Sequence, residues 1–245
     1  MRYLVLSDIH ANWEALWAVL EDAAGQYDCV VCCGDLVGYG ADPNLVVEWV
    51  RAHACAVVRG NHDKAAAGLQ DAEDFNPYAR AAAQWTAHVL SPENALYLRR
   101  LPAGPQSLPG FDLVHGSPTD EDEYLTWVEP SLLLPYLSQS LTFFGHTHCQ
   151  LAFCLRGPRA EYLSGVPAEH SRITIRLQAR CRYLVNPGSV GQPRDGDPRA
   201  AYALYDDAAG EVYLCRTLYP ISVAQAKILR AGLPAYLAER LASGT

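Results

Sequence analysis

Five short polar stretches carry the side chains of a metal site within the first 148 residues, and each follows an apolar run. They are Asp8-Ile9-His10, Gly34-Asp35, Gly60-Asn61-His62-Asp63, His115 and Gly145-His146-Thr147-His148. Imidazole, carboxylate and amide ligands together suit Mn, Fe, Co, Ni or Zn, and the five stretches contain no cysteine, which disfavours a thiolate-type zinc site. Two divalent ions about 3.5–4 Å apart form a clamp for displacement at phosphorus, and one carboxylate can touch both. Each stretch alone is a common polar turn, but their joint occurrence predicts a two-metal site.

The apolar runs before these stretches predict the strands that would position them. Predicted strands at 3–6, 29–33 and 55–58 alternate with predicted helices at 12–24 and 42–52, which is typical of a largely parallel sheet. Asn12 caps the first of these helices, and Asp42-Pro43 begins the second. Two more predicted strands, at 111–114 and 141–144, also end at candidate ligands. Because sites in open α/β sheets gather at the carboxyl ends of strands, we expect the five stretches to meet.

The remaining elements complete a single expected domain over residues 1–245. Residues 63–101 are predicted to be helical, with helix starts at Asn76-Pro77 and Ser91-Pro92. A helix is predicted near 130–137, and a helical tail near 222–241. Further strands are predicted at 150–155, 173–177, 183–185, 201–205 and 212–219, the last two joined by a hairpin loop. We interpret the polar connection 157–171 as the loop of one hairpin.

The composition indicates which kinds of partner and which cellular compartment to expect. The formal net charge is −8, from 19 Lys and Arg against 27 Asp and Glu, which argues against nucleic acid as a partner. The N-terminal apolar run is too short for a signal peptide or a membrane span, so we expect a cytoplasmic protein with no membrane partner. We expect the eight cysteines to be buried, reduced thiols. Cys29 and Cys32 have C-x-x-C spacing, but residues three apart on a strand face opposite sides.

The five stretches, in this order, resemble the motifs of the calcineurin-like metallophosphoesterase superfamily. The segment from Asn186 to Arg194 resembles a signature of its small prokaryotic phosphodiesterase and phosphatase branch. The resemblance implies an α/β fold, a four-layer αββα sandwich in which two mixed β-sheets are flanked by helices. It implies two divalent metal ions, with manganese preferred among Mn, Fe, Zn, Ni and Co. It places one ion on Asp8, His10, Asp35 and His148, and the other on Asp35, Asn61, His115 and His146.

The implied reaction is attack on phosphorus by a metal-held hydroxide, because coordination lowers the pKa of water from about 15.7 to about 7. His62 and Asp63 are the predicted catalytic pair. His62 would protonate the leaving oxygen or stabilise its charge, and Asp63 would orient the His62 ring. Asn12, Tyr39 and Arg194 are candidate substrate contacts, Arg194 because its planar guanidinium can pair with a phosphate.

Several functions fit this set of residues. The leading one is a phosphoesterase acting on a small phosphoester, with diesters preferred because the resemblance is to the prokaryotic branch. A phosphoprotein phosphatase of the same fold is one alternative. A non-catalytic scaffold is another, although the presence of His62 and a complete ligand set argues against it. A nuclease is disfavoured by the acidic balance and the lack of an obvious basic strip. The oligomeric state is left open.

Overall fold

Two six-stranded sheets pack against each other and bring the five polar stretches together. The computed structural model describes residues 1–245, apart from the side chains of residues 130 and 131. The first sheet contains β1 (Arg2–Leu6), β2 (Cys29–Cys32), β3 (Ala54–Val57), β9 (Arg172–Arg176), β11 (Ala200–Asp206) and β12 (Glu211–Thr217). Its spatial order is β3-β2-β1-β11-β12-β9. The first three strands are mutually parallel and the other neighbours are antiparallel, so the sheet is mixed.

The second sheet is mixed as well. It contains β4 (Gln106–Leu108), β5 (Phe111–Leu113), β6 (Leu141–Phe143), β7 (Leu151–Arg156), β8 (Arg159–Ser164) and β10 (Arg182–Asn186). Its spatial order is β4-β5-β6-β10-β7-β8, with parallel pairing of β5, β6 and β10. Alternate residues of both sheets, such as Val5, Phe111 and Val185, form the buried core between them.

Helices cover the outer faces of the two sheets. They are α1 (Trp13–Asp22), α2 (Pro43–His53), α3 (Asn61–Ala66), α4 (Pro77–Val89), α5 (Pro92–Arg100), α6 (Pro130–Leu133), α7 (Ile221–Arg230) and α8 (Ala235–Glu239), with 3-10 turns at Leu134–Tyr136 and Arg240–Ala242. The predicted four-layer αββα class is confirmed. The layers are unequal, because most helices cover the first sheet, whereas the second is covered by α6 and neighbouring loop residues such as Leu125 and Val128.

The predicted helix starts have a physical basis in side-chain caps. Asn12 accepts a hydrogen bond from the backbone N–H of Ala15 at 3.1 Å, Asn76 accepts from Ala79, and Ser91 accepts from Asn94. Asp42 also precedes its helix, but its carboxylate makes no capping bond. It binds Lys227 Nζ of α7 at 2.7 Å instead, which ties α2 to the C-terminal helices.

The interpretation of 157–171 as one hairpin loop was wrong. This segment contains β8, which pairs with β7, whereas β9 pairs with β12 in the opposite sheet. The connection therefore crosses between the sheets. The sequence did not predict β8, because this strand lies at an edge and is largely exposed. It therefore lacks the apolar alternation of a half-buried strand.

The expectation that every cysteine is reduced was also wrong for one pair. Cys29 of β2 and Cys55 of β3 form a disulfide, while the other six are free. Val30 pairs with Ala54 and Val31 with Ala56, so a register shift makes Cys55 an extra residue in β3. Its Cα lies 6.5 Å from that of Cys29, within bonding range. Cys29 and Cys32 do face opposite sides of the sheet, as predicted.

The helices are too short or too polar to cross a bilayer anywhere in the part of the chain that the structure describes.

Candidate metal centre

The predicted ligands converge at one edge of the two sheets, where β1, β2, β3, β5 and β6 end. All except Asn61 are buried, and Asn61 is half-buried. Two groups bring their ligand atoms within 4.8 Å of one another, and Asp35 belongs to both. One group is Asp8, His10, Asp35 and His148, and the other is Asp35, His115 and His146. Asn61 joins the second group, since its Oδ1 lies 3.3 Å from His115 Nε2.

Each of the four histidines uses one ring nitrogen to hold its orientation. Nδ1 of His10, His115 and His148 lies 2.7–2.9 Å from a backbone carbonyl oxygen, as does Nε2 of His146 at 3.0 Å from Asp122. A carbonyl oxygen only accepts, so the facing nitrogen donates and the other nitrogen is available as a ligand. This arrangement is common for metal-binding histidines, whose second nitrogen fixes the ring.

The atoms that point into the centre have too few hydrogen-bond partners. Among the described residues, Asp35 Oδ2 is buried without a hydrogen-bond partner, yet it lies 3.5 Å from Nε2 of both His10 and His115. A buried carboxylate oxygen left in this way is costly unless something positive binds it. Its position between the two groups suits a carboxylate that bridges two ions. The donor set of nitrogens and oxygens without sulfur fits first-row divalent metals.

The backbone around the centre is strained. Eight non-glycine residues have φ in the left-handed region, and only one of them, Arg180, lies elsewhere in the molecule. The other seven are Asp8, His10, Ala11, Asp35, Tyr39, His146 and His148. Such conformations cost about 1–3 kcal/mol each and cluster at functional sites, where the surrounding structure enforces them. The sequence contained no signal for this strain.

Gly60 is required for space rather than for its torsion angles. Its φ of −104° and ψ of 175° are open to any residue. A Cβ at this position would lie 2.0 Å from Oδ1 and 2.5 Å from N of Asp35. No sequence pattern predicts that Gly60 must leave space for Asp35, because the contact joins strand ends that are 25 residues apart in the sequence.

Electrostatics in the metal-free chain are dominated by burial and by the central carboxylates. Burial lowers the pKa of His10 and His148 well below the usual range, so both rings are neutral. Burial would also lower the pKa of His115, but Asp35 and Asp8 outweigh it and raise that pKa to about 9. Burial likewise opposes ionisation of Asp35, yet His115 and its neighbours keep the Asp35 pKa well below normal. His115 is therefore protonated in the metal-free chain, and its positive charge lies beside Asp35, where a metal ion would bind.

The expected contact between Asp63 and the His62 ring is not made. Asp63 instead accepts hydrogen bonds from the backbone N–H groups of Leu36, Val37 and Gly60 at 2.9–3.2 Å. Among the described residues, His62 Nδ1 has no hydrogen-bond partner. Asp63 is part of the turn that starts α3, and its carboxylate reaches the neighbouring loop before it can reach the adjacent ring. Its role is to brace the segment after β2.

Burial lowers the pKa of His62 to about 4, so its ring is neutral near pH 7 in the metal-free chain. A neutral imidazole still has one N–H to donate. The His62 ring lies 5.0 Å from the His10 ring, centroid to centroid, which places it beside the ligand cluster.

Two of the three predicted substrate contacts lie at the centre, and one does not. Tyr39 packs against the rings of His10 and His62 at 4.7 and 4.3 Å, and the Arg194 guanidinium lies 5.5 Å above the Tyr39 ring. Asn12 is a capping residue instead. Its Oδ1 caps α1 and its Nδ2 donates to the carbonyl of Gly191, so both polar atoms of its amide are already hydrogen-bonded.

Several residues near the centre were missed by the sequence analysis. The Tyr124 ring stacks on His146 with centroids 3.8 Å apart, and Tyr124 is 56% exposed. The acidic segment before Tyr124 is held by cations. Lys64 Nζ lies 2.6 Å from Asp122 Oδ2 and 3.1 Å from Glu121 Oε1, and Arg59 also binds Glu121. The only signal in the sequence was an acidic run soon after His115.

The other histidines and a groove between β8 and β9 lie away from the centre. His53, His88 and His170 are exposed. A groove of about 590 Å³ lies between β8 and β9, and none of the candidate ligands lines it.

Comparison with known proteins agrees with the fold. The model of the calcineurin-like phosphoesterase superfamily domain matches residues 1–209. An uncharacterised protein of Methanocaldococcus jannaschii is 36% identical over 245 residues, covering 98% of this chain and 97% of that protein. A metallophosphoesterase from Sphaerobacter thermophilus has a TM-score of 0.87 at 40% identity, covering 100% of this chain and 99% of that one. A hypothetical protein from Pyrococcus horikoshii has the same fold, with a TM-score of 0.77 at 20% identity, covering 100% and 98%. The chain belongs to the calcineurin-like phosphoesterase superfamily.

Proposed function

We propose that this protein is a phosphoesterase that depends on two divalent metal ions and hydrolyses small phosphodiesters in preference to phosphomonoesters. The observation that carries the two-metal requirement is Asp35 Oδ2, a buried oxygen that has no hydrogen-bond partner among the described residues and lies 3.5 Å from one histidine of each ligand group. One ion would be held by Asp8, His10, Asp35 and His148, and the other by Asp35, Asn61, His115 and His146. Bound divalent ions supply water activation and neutralise charge on phosphoryl oxygens.

The side chains of this chain would hold the ester and receive the departing group. Overall, an oxygen from water bonds to phosphorus, the P–O bond to the leaving group breaks, and the leaving oxygen gains a proton. His62 lies beside the ligand cluster, and its ring N–H would donate a hydrogen bond that stabilises the charge on that oxygen, while the proton itself comes from water. Hydrogen-bond donation from His62 to the leaving oxygen matters most for leaving groups that develop a large negative charge.

Arg194 would bind a phosphoryl oxygen of the substrate. It is half-buried, and no carboxylate among the described residues lies within 4.0 Å of its guanidinium. Two of its hydrogen bonds go to the neutral side chain of Gln192, at 2.9 Å for the closer nitrogen, and its other neighbours include the phenol groups of Tyr39 and Tyr124. A guanidinium without a counter-ion next to a cluster of ligands can form two parallel bonds to an anion.

Metal analysis combined with a two-substrate assay tests this function. We expect protein purified without chelator to contain two metal ions per chain. With manganese added, it should hydrolyse bis(p-nitrophenyl) phosphate faster than p-nitrophenyl phosphate. Asp35→Asn should lose both metals and both activities, while Asp71→Asn, at an exposed position outside the centre, should keep them. A metal-free protein that is inactive with every added metal would favour the scaffold alternative, and a monoester preference would favour a phosphatase.

A further inference from the structure

The surroundings of His62 show how its ring is held without a carboxylate partner. The ring is 3% exposed, and its backbone N–H donates to Asp35 Oδ1 at 2.9 Å. The Tyr39 ring lies 4.3 Å away and the Phe75 ring 4.8 Å away, centroid to centroid. On the Nδ1 side lies Gly38, where a Cβ would come within 2.4 Å of that nitrogen. The ring therefore sits in a slot formed by aromatic faces and a glycine.

Within this slot, Phe75 contacts the His62 ring but no candidate metal ligand or substrate-binding residue in the contacts described above. Tyr39 also contacts His10 and Arg194, so it serves several groups. Phe75 has no polar atom beyond its backbone, and it packs against the helix-side core. It directly precedes Asn76, whose side chain caps α4, so the start of a 13-residue helix anchors it. Aromatic pairs at such distances attract each other beyond the apolar area that they bury, which favours one ring orientation.

We propose that Phe75, together with Tyr39, positions the His62 ring for donation to the leaving oxygen, in place of the carboxylate partner. Phe75 is thus a positioning residue that acts through His62. The inference rests on the proposed function, since it assumes that His62 serves the leaving group. Asp63 contributes indirectly, because its bonds to Leu36 and Val37 hold the backbone that leads to Gly38 and Tyr39.

Kinetics with two leaving groups test this role. The substrates are p-nitrophenyl and phenyl diesters, because phenolate is the poorer leaving group and needs donation more. In the metal-loaded protein, Phe75→Ala should lower kcat for the phenyl ester roughly ten- to hundredfold, since small misplacements of a catalytic group have effects of this size. Activity on the p-nitrophenyl ester should change less than about threefold, a margin small against the effect of removing the group that donates to the leaving oxygen. KM and metal content should not change.

Three further variants sharpen the interpretation. Phe75→Leu keeps apolar bulk but loses the aromatic face, so it should restore only part of the activity. Leu69→Ala, an exposed position in the same connection, should behave as wild type. His62→Asn should show the same selectivity for the poor leaving group with a larger loss, roughly 10²–10⁴-fold. In the zinc-loaded protein, the ring ¹⁵N and ¹H resonances of His62 should shift in Phe75→Ala and stay in place in Leu69→Ala.

Two results would overturn the inference. One is an equal loss on both esters in Phe75→Ala, which would indicate a general structural role. The other is a His62→Asn enzyme whose loss is the same for both leaving groups, since there would then be no donation to position. In that second case, retained metal-dependent hydrolysis would leave the proposed phosphoesterase function standing.

Discussion

Nε2 of His10 and Nε2 of His148 lie 3.0 Å apart, and neither can donate to the other. Each ring donates through Nδ1 to a backbone carbonyl, Val37 for His10 and Gln192 for His148. Both rings are neutral, because burial lowers their pKa. Two nitrogen lone pairs facing each other in a buried site repel unless a cation lies between them. This pair therefore favours metal binding on its own geometry.

Metal removal should destabilise the folded protein. A metal at 1,000 times its Kd adds about 4 kcal/mol to the free energy of unfolding. For a chain of this size, that corresponds to a rise in Tm of roughly 10 °C. Calorimetry should show this loss with chelator and its recovery on adding metal. His148→Gln should weaken the effect, whereas the exposed His88→Gln should not. A Tm that does not respond to chelator or metal would contradict the assignment.

Lys64 should support the second ion through Asp122. Its ammonium binds the Asp122 side chain, and the carbonyl of Asp122 accepts from His146 Nε2. Lys64→Met should weaken metal binding at that ion by roughly 10–100-fold, the usual effect of losing a group that orients a ligand. Metal titration should show one weakened and one normal site. Arg51→Met, which breaks a more exposed ion pair with Glu93, is the control. Equal weakening of both metal sites would argue against support of the second ion by Lys64 through Asp122.

Gly60→Ala should displace the shared carboxylate. The added Cβ would lie 2.0 Å from Asp35 Oδ1, so Asp35 or the backbone must move. Overpacking of this kind typically costs about 1–3 kcal/mol of stability. We expect loss of both metals, measured by elemental analysis. In Gly25→Ala the Cβ meets no atom within 4 Å, although φ is +72°, so only a modest strain cost is expected and the metals should stay. Full metal content in Gly60→Ala would contradict the bridging role of Asp35.

Arg194→Gln should raise KM more than it lowers kcat if Arg194 binds substrate. A hydrogen bond to a charged group is worth about 1.5–3 kcal/mol, so KM should rise roughly 10–100-fold. Arg194→Lys should recover only part of the loss, because an ammonium cannot form the planar two-point contact. Steady-state kinetics on the diester distinguish these outcomes, with the exposed Arg230→Gln as control. An unchanged KM would remove Arg194 from the substrate contacts.

Alkaline pH should destabilise the protein through Tyr219. Burial raises its pKa to about 12. An unfolded tyrosine ionises near pH 10, so between about pH 10 and 12 the unfolded state loses a proton that the folded state keeps. The free energy of unfolding therefore falls as pH rises, by at most about 2–3 kcal/mol for this residue. Urea unfolding at pH 8 and 11 should show a smaller fall in Tyr219→Phe than in wild type. The exposed Tyr162→Phe should not reduce the fall.

The sequence alone determined which candidate ligands meet and which strands deliver them. Apolar runs define buried strands, parallel strands end at one edge, and the ligand types are read directly from Asp8, Asp35, His115 and their companions. Helix starts at Asn76 and Ser91 were predictable because a cap acts within three residues. Such interactions join residues that are close together in the sequence, so residue type and spacing predict them.

Only the tertiary structure decided how each side chain is used. It assigned Asp63 to the backbone after β2, Asn12 to a helix cap and Gly60 to the space beside Asp35. It also brought Phe75 to His62 and paired Cys29 with Cys55. These outcomes depend on distances between segments remote in sequence or on a one-residue register shift, and neither quantity is encoded in residue type or periodicity.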